Sequence, residues 1–443
     1  MTPGLLDLCE RTPLVDTHEH LVEESTRLGG RATHFFPSND WSDLLLHYAA
    51  DDMMSAGMGK GARDRFFHPD TPRDTKIQLF LPIWDRVRHT GYGRSVRETV
   101  RILYGVDDLD ARTIPVVDER FRAALRPGLM ESVLEGACIV HAQVNSLERI
   151  FVETDHPEWM PQDISFLAFT KADRAVVARD TGQAPDTLDA WCGWIDACFD
   201  RWAPRAIAAK NQIAYQRRLS FPSADPRVAE AAFARKAAGL AVDPDDELAL
   251  ENHLFRHCLA AATRHGLPVK LHTGYYAGHG RMPLGRVATN AGDLAPLLAE
   301  FPETRFVLMH IGWPYQDEYL ALAKHFPNVW IDLCWTWIID PEACVRFVRE
   351  FLTTVPSNKL LPFGGDYFTV ECVAGHARIA RHGIARALSE LVDSGWLREE
   401  EAGALVPRLF HGNARALFPD RPGVWERLPP IENAEPKLPA FGG

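Results

Sequence analysis

Eight short apolar runs, each closing on a polar side chain, recur along this chain and restrict its fold more than any other feature. They are residues 13–20 (PLVDTHEH), 137–145 (ACIVHAQVN), 149–153 (RIFVE), 206–210 (AIAAK), 268–272 (PVKLH), 305–310 (RFVLMH), 328–332 (NVWID) and 359–366 (KLLPFGGD). Runs this short and this apolar fit strands buried on both faces, as in a parallel sheet. Helical patterns lie between them. Residues 245–265 carry Leu248, Phe255, Leu259 and Ala262 along one side and stop at Gly266-Leu267-Pro268. Residues 290–301, 319–326 and 341–352 repeat the pattern between later runs. Alternating strands and helices imply βαβ units. Eight such strands predict an α/β fold, a (β/α)8 TIM barrel, over residues 1–418.

The first half departs from this regularity. About 115 residues separate the first run from the second, far more than a strand-to-helix loop needs. Residues 21–136 and 155–204 therefore read as helical cap insertions after strands 1 and 3. The tail at 419–443 holds Pro419, Pro422, Pro429, Pro430, Pro436 and Pro439 and reads as an extended arm. With 46% hydrophobic residues among 443, the chain can fill a large core. A net charge of −12 argues against a nucleic-acid partner. The eight cysteines form no C-x-x-C pair and read as reduced core residues. No stretch reaches the roughly 20 apolar residues of a membrane span, and Met1-Thr2-Pro3-Gly4 opens no signal peptide. A cytoplasmic location and no membrane partner are the expectation.

The polar residues that close the runs carry the chemistry. In a strand, residues i and i+2 face one side, so His18 and His20 aim together from the C-terminal end of the first strand. In a barrel that end is the catalytic face, and imidazole ligates zinc and similar ions. His-x-His alone is weak, because two histidines in a loop read the same way. His272 and His310 close later runs, and Asp366 closes the last after Gly364-Gly365, which allow a sharp turn. Four imidazoles and a carboxylate at strand ends would converge on the barrel axis. Glu19, between the histidines, faces the other way and is not expected as a ligand. His253, His257 and His265 lie on an outer helix and are discarded.

The order H-x-H, K, H, H, D resembles the amidohydrolase superfamily of metal-dependent barrels. The likeness is to its amidohydrolase-related (Amidohydrolase 2) branch, with uronate-isomerase-like and decarboxylase members. It rests on DTHEH at 16–20, AIAAKNQIAYQRRLSF at 206–221, KLHTGYY at 270–276, VLMHIGWPY at 307–315, FGGDYF at 363–368 and FHGNARALF at 410–418. The segment from Lys210 through Arg217 is nearest to amidohydrolase domains fused to glutamine-synthetase-like domains. The resemblance implies that His18, His20 and Asp366 bind one metal. It implies that His272 and His310 bind a second, or complete the first site. Lys210 matches the position that can be carboxylated to bridge two ions, which needs a depressed amine pKa; its plain alternative is a lysine ending a strand. The long insertion after His20 is the departure, closer to uronate-isomerase-like members than to compact hydrolases.

That ligand set implies a metal-dependent hydrolase acting on an amide, imide, lactone or ester of a small, carboxylate-bearing substrate. Asp366 would shuttle the proton and His310 would assist at the reacting group. The alternative is a non-hydrolytic relative, a decarboxylase or uronate-isomerase-like enzyme. A scaffold that has lost its chemistry would lack ligands, and none is missing. Zn2+, one ion or two, is the expected cofactor, with Mn2+, Fe2+ or Ni2+ fitting the same donors. A guanidinium fork at Arg217 or Arg218 suits a substrate carboxylate, although both also read as loop charges. Tyr215, Tyr275 and Trp313 are the expected substrate contacts. Tyr315, Trp335 and Trp337 lie past strand ends as well, and His141 and Asn145 flank the second. His411 and Asn413 read as structural. A symmetric homo-oligomer is expected.

Overall fold

A computed structural model describes residues 2–29 and 33–428. Its strands are β1 (Leu14–Glu19), β2 (Ile139–Val144), β3 (Asp163–Ser165), β4 (Ala208–Asn211), β5 (Val269–Leu271), β6 (Phe306–Leu308), β7 (Val329–Asp332) and β8 (Leu360–Leu361). β1 pairs with β2, and β3 through β8 pair in chain order, all parallel. Two seams close the ring. Val144 bridges to Gln162 just ahead of β3. Past β8, Thr17 N donates to Phe363 O at 3.0 Å, Asp366 N to His18 O at 3.0 Å and His20 N to Tyr367 O at 2.8 Å. The result is the (β/α)8 barrel that the runs predict, with helices around it.

One strand sits elsewhere than the run pattern places it. Residues 149–153 form no strand; Ile150 O instead accepts from Ser165 N at 2.8 Å. β3 lies inside the 155–204 segment expected to be cap, so that segment supplies part of the barrel wall. The reason is chemical. β3 reads Asp-Ile-Ser, and its acidic residue faces a buried partner: Lys270 Nζ on β5 donates to both Asp163 carboxylate oxygens at 3.0 and 2.9 Å. An interior lined by an ion pair leaves no apolar run in the sequence. The helices after it, Arg174–Thr181 and Leu188–Trp202, then lead back to β4.

The insertion after β1 is helical as expected, from Glu24–Leu28 to Leu129–Gly136. It has its own core. Trp41, Phe66, Phe80 and Trp84 stack with ring centroids 5.1–5.8 Å apart, and burying each such ring contributes about 1.5–3 kcal/mol. The insertion is seated on the barrel by helix Gly91–Tyr104, which packs on the long helix Val370–Asp393. That approach needs Gly375, where a Cβ would lie 2.2 Å from Ser95 O. At the far end of the barrel, the buried Arg381 guanidinium donates to Thr12 O, Ala137 O and Cys138 O at 2.7–3.1 Å, tying together the starts of β1 and β2.

The tail is an arm only in part. Arg421 donates to Ala206 O and Ala203 O at 2.7 Å each, and Trp425 packs edge-on against His141 at 4.8 Å. Residues through Leu428 therefore lie along the barrel; 429–443 fall outside the described residues. The eight cysteines are unpaired. Among the described residues no helix is long and apolar enough to cross a membrane.

Lys270→Met strands the Asp163 carboxylate, which is fully buried. We expect a loss of about 3–5 kcal/mol in denaturant unfolding, with much of it recovered in Asp163→Leu/Lys270→Met. Losses that simply add would show the two side chains to be independent.

Candidate metal centre

The C-terminal rim of the barrel gathers the side chains that close the strands. His18 and His20 rise from β1, Lys210 from β4, His272 follows β5, His310 follows β6 and Asp366 follows β8. His18 Nε2, His20 Nε2 and Asp366 Oδ1 form a triangle with edges of 3.4, 3.2 and 3.2 Å. Donors about 2.0–2.1 Å from a tetrahedral zinc ion would stand roughly 3.3–3.4 Å apart, so the triangle has the dimensions of three metal ligands. Lys210 Nζ lies 3.3 Å from His18 Nε2. Burial lowers its amine to about 8, against the pull of Asp366.

The neighbours of the imidazoles define which nitrogens are bare. A carbonyl only accepts, so the ring nitrogen facing one must carry hydrogen. His20 Nδ1 faces Asn145 O at 2.6 Å, His310 Nδ1 faces Cys334 O at 2.9 Å, and His272 Nε2 faces Tyr275 O at 2.8 Å. This leaves His272 Nδ1 and His310 Nε2 as two lone pairs 3.0 Å apart. Burial holds His272 well below its usual pKa and His310 down at about 4, so a shared proton is disfavoured there. Electron-rich atoms converging in a dry site are the chemistry of a cation centre; the four histidines and Asp366 fit one, and Lys210 fits once its amine is neutral or carboxylated.

Asp366 is the hinge of the arrangement. Burial would raise its pKa, but contacts with His18 and His20 hold the carboxyl well below the usual range. Tyr48, from the insertion, donates its hydroxyl to Asp366 O at 2.6 Å and Oδ2 at 2.8 Å. Tyr48, His310, Ile311, Trp335 and Asp366 all have φ between 46° and 65°, five of the eight left-handed non-glycine residues described. Such strain persists where the surroundings impose it, and here it clusters on the rim. Gly364 and Gly365 serve space rather than a left-handed turn. A Cβ on Gly365 would sit 1.9 Å from Glu19 Oε1, and one on Gly364 2.8 Å from Cys334 Cβ; Asp366 itself takes the left-handed φ.

The expected substrate contacts divide. Tyr215 lies over His272 with centroids 4.5 Å apart. Tyr275 packs on Trp313 at 5.0 Å and Trp335 at 5.6 Å, and Trp335 meets His310 at 5.5 Å. Trp313 backs this wall, its indole turned to Asp340 at 3.3 Å. Arg217 is a correction. Its fork is occupied by Glu251 at 3.0 Å, Asn252 at 2.7 Å and Ser220 O at 2.6 Å, which staples the loop to helix Pro244–Arg264 and leaves no guanidinium for a substrate carboxylate. Arg218 is paired with Asp293. His141 is turned to Val424 O, while Asn145 acts through its carbonyl on His20. Asn413 braces the barrel by donating to Ser357 O and Leu360 O, and His257 and His265 pair with Asp196 and Asp200 outside the site. Glu19 accepts from Tyr367 N and stays apart from the triangle.

Three further residues near the centre are not singled out by the sequence. Tyr48 sits in a helical insertion among other aromatics. Cys334 lies within 4.8 Å of His310 and Asp366, but burial keeps its thiol protonated, well above the usual range. Asp332 accepts from Thr17 Oγ1 at 2.6 Å and Cys334 N at 2.8 Å; its place at the end of run 328–332 was the one available signal.

A family model described as Amidohydrolase matches residues 161–419. Protein fluG of Emericella nidulans is 30% identical over 224 residues, 48% of this chain and 25% of the relative. The chain thus spans about a quarter of the length of that curated relative. Among solved structures, a uronate isomerase from Thermotoga maritima shares 14% identity and a TM-score of 0.76, covering 94% of this chain and 96% of its own. A glucuronate isomerase from Caulobacter crescentus shares 18% identity and a TM-score of 0.74, covering 96% and 95%. A putative metal-dependent hydrolase from Lactobacillus casei has 14% identity and a TM-score of 0.64, covering 93% and 96%. These are likenesses of fold. The family model spans more than half of the chain and includes Lys210, His272, His310 and Asp366 at their strand ends, and the chain therefore belongs to the amidohydrolase family.

Proposed function

We propose that this protein is a metal-dependent hydrolase that cleaves an amide, imide, lactone or ester of a small molecule. The observation that supports it best is the joining of two donor groups, His18/His20 and His272/His310, around Asp366 and the depressed amine of Lys210. His18, His20 and Asp366 would hold one divalent ion; His272, His310 and a carboxylated Lys210 would provide for a second. When bound, such an ion lowers the pKa of water from about 15.7 toward 7 and polarises a carbonyl. The protein's own part is proton handling and orientation. Asp366, kept ionised, accepts the water proton and returns it to the leaving group. Tyr48 fixes the carboxylate so that Oδ1 faces the histidines. His310, neutral at physiological pH, stands beside the reacting carbonyl, and Tyr275 and Trp335 wall the site from water.

A second reading is a sugar-acid isomerase or another non-hydrolytic reaction at the same residues. It is favoured by the extent of the likeness to uronate isomerases, which takes in the insertion that carries Tyr48. With Arg217 committed to Glu251, the feature that suggested a carboxylate-bearing substrate is gone.

Turnover in 18O-water across a panel of small amides, lactones, esters and uronates separates the readings. Hydrolysis leaves one 18O in the product, whereas isomerised or decarboxylated product without the label would sink the hydrolase assignment. Metal analysis of replete protein should give one to two equivalents of a divalent transition metal. Asp366→Asn should lower kcat by about 10²–10⁴-fold; a variant that keeps full turnover would remove Asp366 from the chemistry. Carboxylation of Lys210 predicts a carbamate 13C resonance after exposure to 13C-bicarbonate, absent from Lys210→Met. Its absence from the wild type as well would leave Lys210 an amine.

A further inference from the structure

Beside the metal centre, between the insertion and the loop after β5, lies a cavity of about 280 Å³ lined by Asp51, Asp52, Tyr92, Tyr275, Tyr276 and His279. It is close to the site. Tyr275 belongs both to this lining and to the aromatic wall, and its carbonyl orients His272. Tyr92 stacks on Tyr48 with centroids 5.4 Å apart, and Tyr48 holds Asp366. A molecule seated here therefore reaches toward the reacting centre along aromatic surface.

The polar groups of the cavity are electron-rich and unevenly satisfied. Asp51 has partners: it accepts from Gly278 N at 2.9 Å and pairs with His279 at 3.7 Å. Asp52 has none of its own sign-opposite kind. No arginine, lysine or histidine among the described residues lies within ion-pair distance of it; its polar neighbour is the Thr90 hydroxyl, which it shares with Val87 O at 2.9 Å. Tyr92 is only 8% exposed, and among the described residues its hydroxyl has no hydrogen-bond partner, although it borders the cavity. A half-buried carboxylate without a cation and a cavity-facing hydroxyl without a partner among the described residues are both met by an N–H-bearing cation. The faces of Tyr92 and Tyr275 favour the same charge. Arg281, exposed on the rim, is the competing cation within reach.

We propose that this cavity is a substrate subsite for an organic cation, an ammonium, amidinium or guanidinium group carried by the small molecule whose other end enters the metal centre. The proposal rests on reading that centre as catalytic toward small molecules. Asp52 takes the charge, Tyr92 accepts one N–H, and the tyrosine rings flank the cation. It reverses the charge expected for the substrate while leaving the metal ligands as assigned.

Benzamidine and benzamide, nearly identical in shape and different in charge, test it directly by calorimetry on the metal-replete protein. Benzamidine should bind at least tenfold more tightly than benzamide, and Asp52→Asn should remove at least tenfold of that preference. Tyr92→Phe should weaken benzamidine severalfold, and Arg281→Ala should tighten it. Equal binding of the two compounds, or benzamidine binding insensitive to Asp52→Asn, overturns the subsite. Because the measurement reads binding, a failed search for hydrolysis with intact benzamidine selectivity would count against the hydrolase reading and not against the subsite.

Discussion

Asp366 carries a buried negative charge at the seam where the barrel closes, and much of the structure is arranged to keep it there. Its amide completes the β8–β1 seam on His18 O, its carboxylate meets His18 and His20, and Tyr48 reaches down from the insertion to hold both its carbonyl and its Oδ2. A bare carboxylate inside a protein is costly unless several groups neutralise it. Here the compensation within the chain comes from His18, His20 and Lys210, and a cation held by the same donors would add to it. One residue thereby couples ring closure, the seating of the cap and the candidate metal centre.

The polarity of the interior follows from the same demand. The pair Asp163–Lys270 lies fully buried, Lys210 sits one strand away in register with Lys270, and Asp332 is held by Thr17. Lys210 and Lys270 stand side by side on β4 and β5, and the carboxylates of Asp163, Asp332 and Asp366 offset the two buried amines. This arrangement keeps Lys210 depressed toward neutrality without leaving it isolated, the condition under which an amine can react as a nucleophile. The strained φ angles at His310, Ile311, Trp335 and Asp366 fall on the same rim, where packing from barrel and insertion overrides local preference.

The cavity proposed for substrate is built by a different part of the chain. Helix Ala49–Ser55, Tyr92 and the loop after β5 meet only because the insertion folds over the rim. Arg217 shows how misleading linear proximity can be: it follows the Lys210 strand closely, yet its fork is consumed by Glu251 and Asn252 on an outer helix. A planar guanidinium satisfies three acceptors in one place, and once it does so it is a staple.

Periodicity and strand-end chemistry made most of the barrel legible. Seven of the eight runs lie at strands, and His18, His20, Lys210, His272, His310 and Asp366 meet where strand geometry sends them, because a side chain at the end of a parallel barrel strand has one rim to point to. β3 was illegible because its alternate positions are polar, their cost met by Lys270 from a strand more than 100 residues later in the sequence. Tyr48, the vacant pairing of Asp52 and the engagement of Arg217 were illegible for a related reason. Each depends on which distant group arrives beside it, and hydrogen bonding and charge compensation are settled by three-dimensional neighbours. The amino-acid order alone thus determined most of the barrel and its candidate ligand set, since period and residue type are local properties. The closing seam, the bare nitrogens and the charge lining the cavity beside the centre were decided by tertiary contacts, because a buried polar group takes its role from its partner.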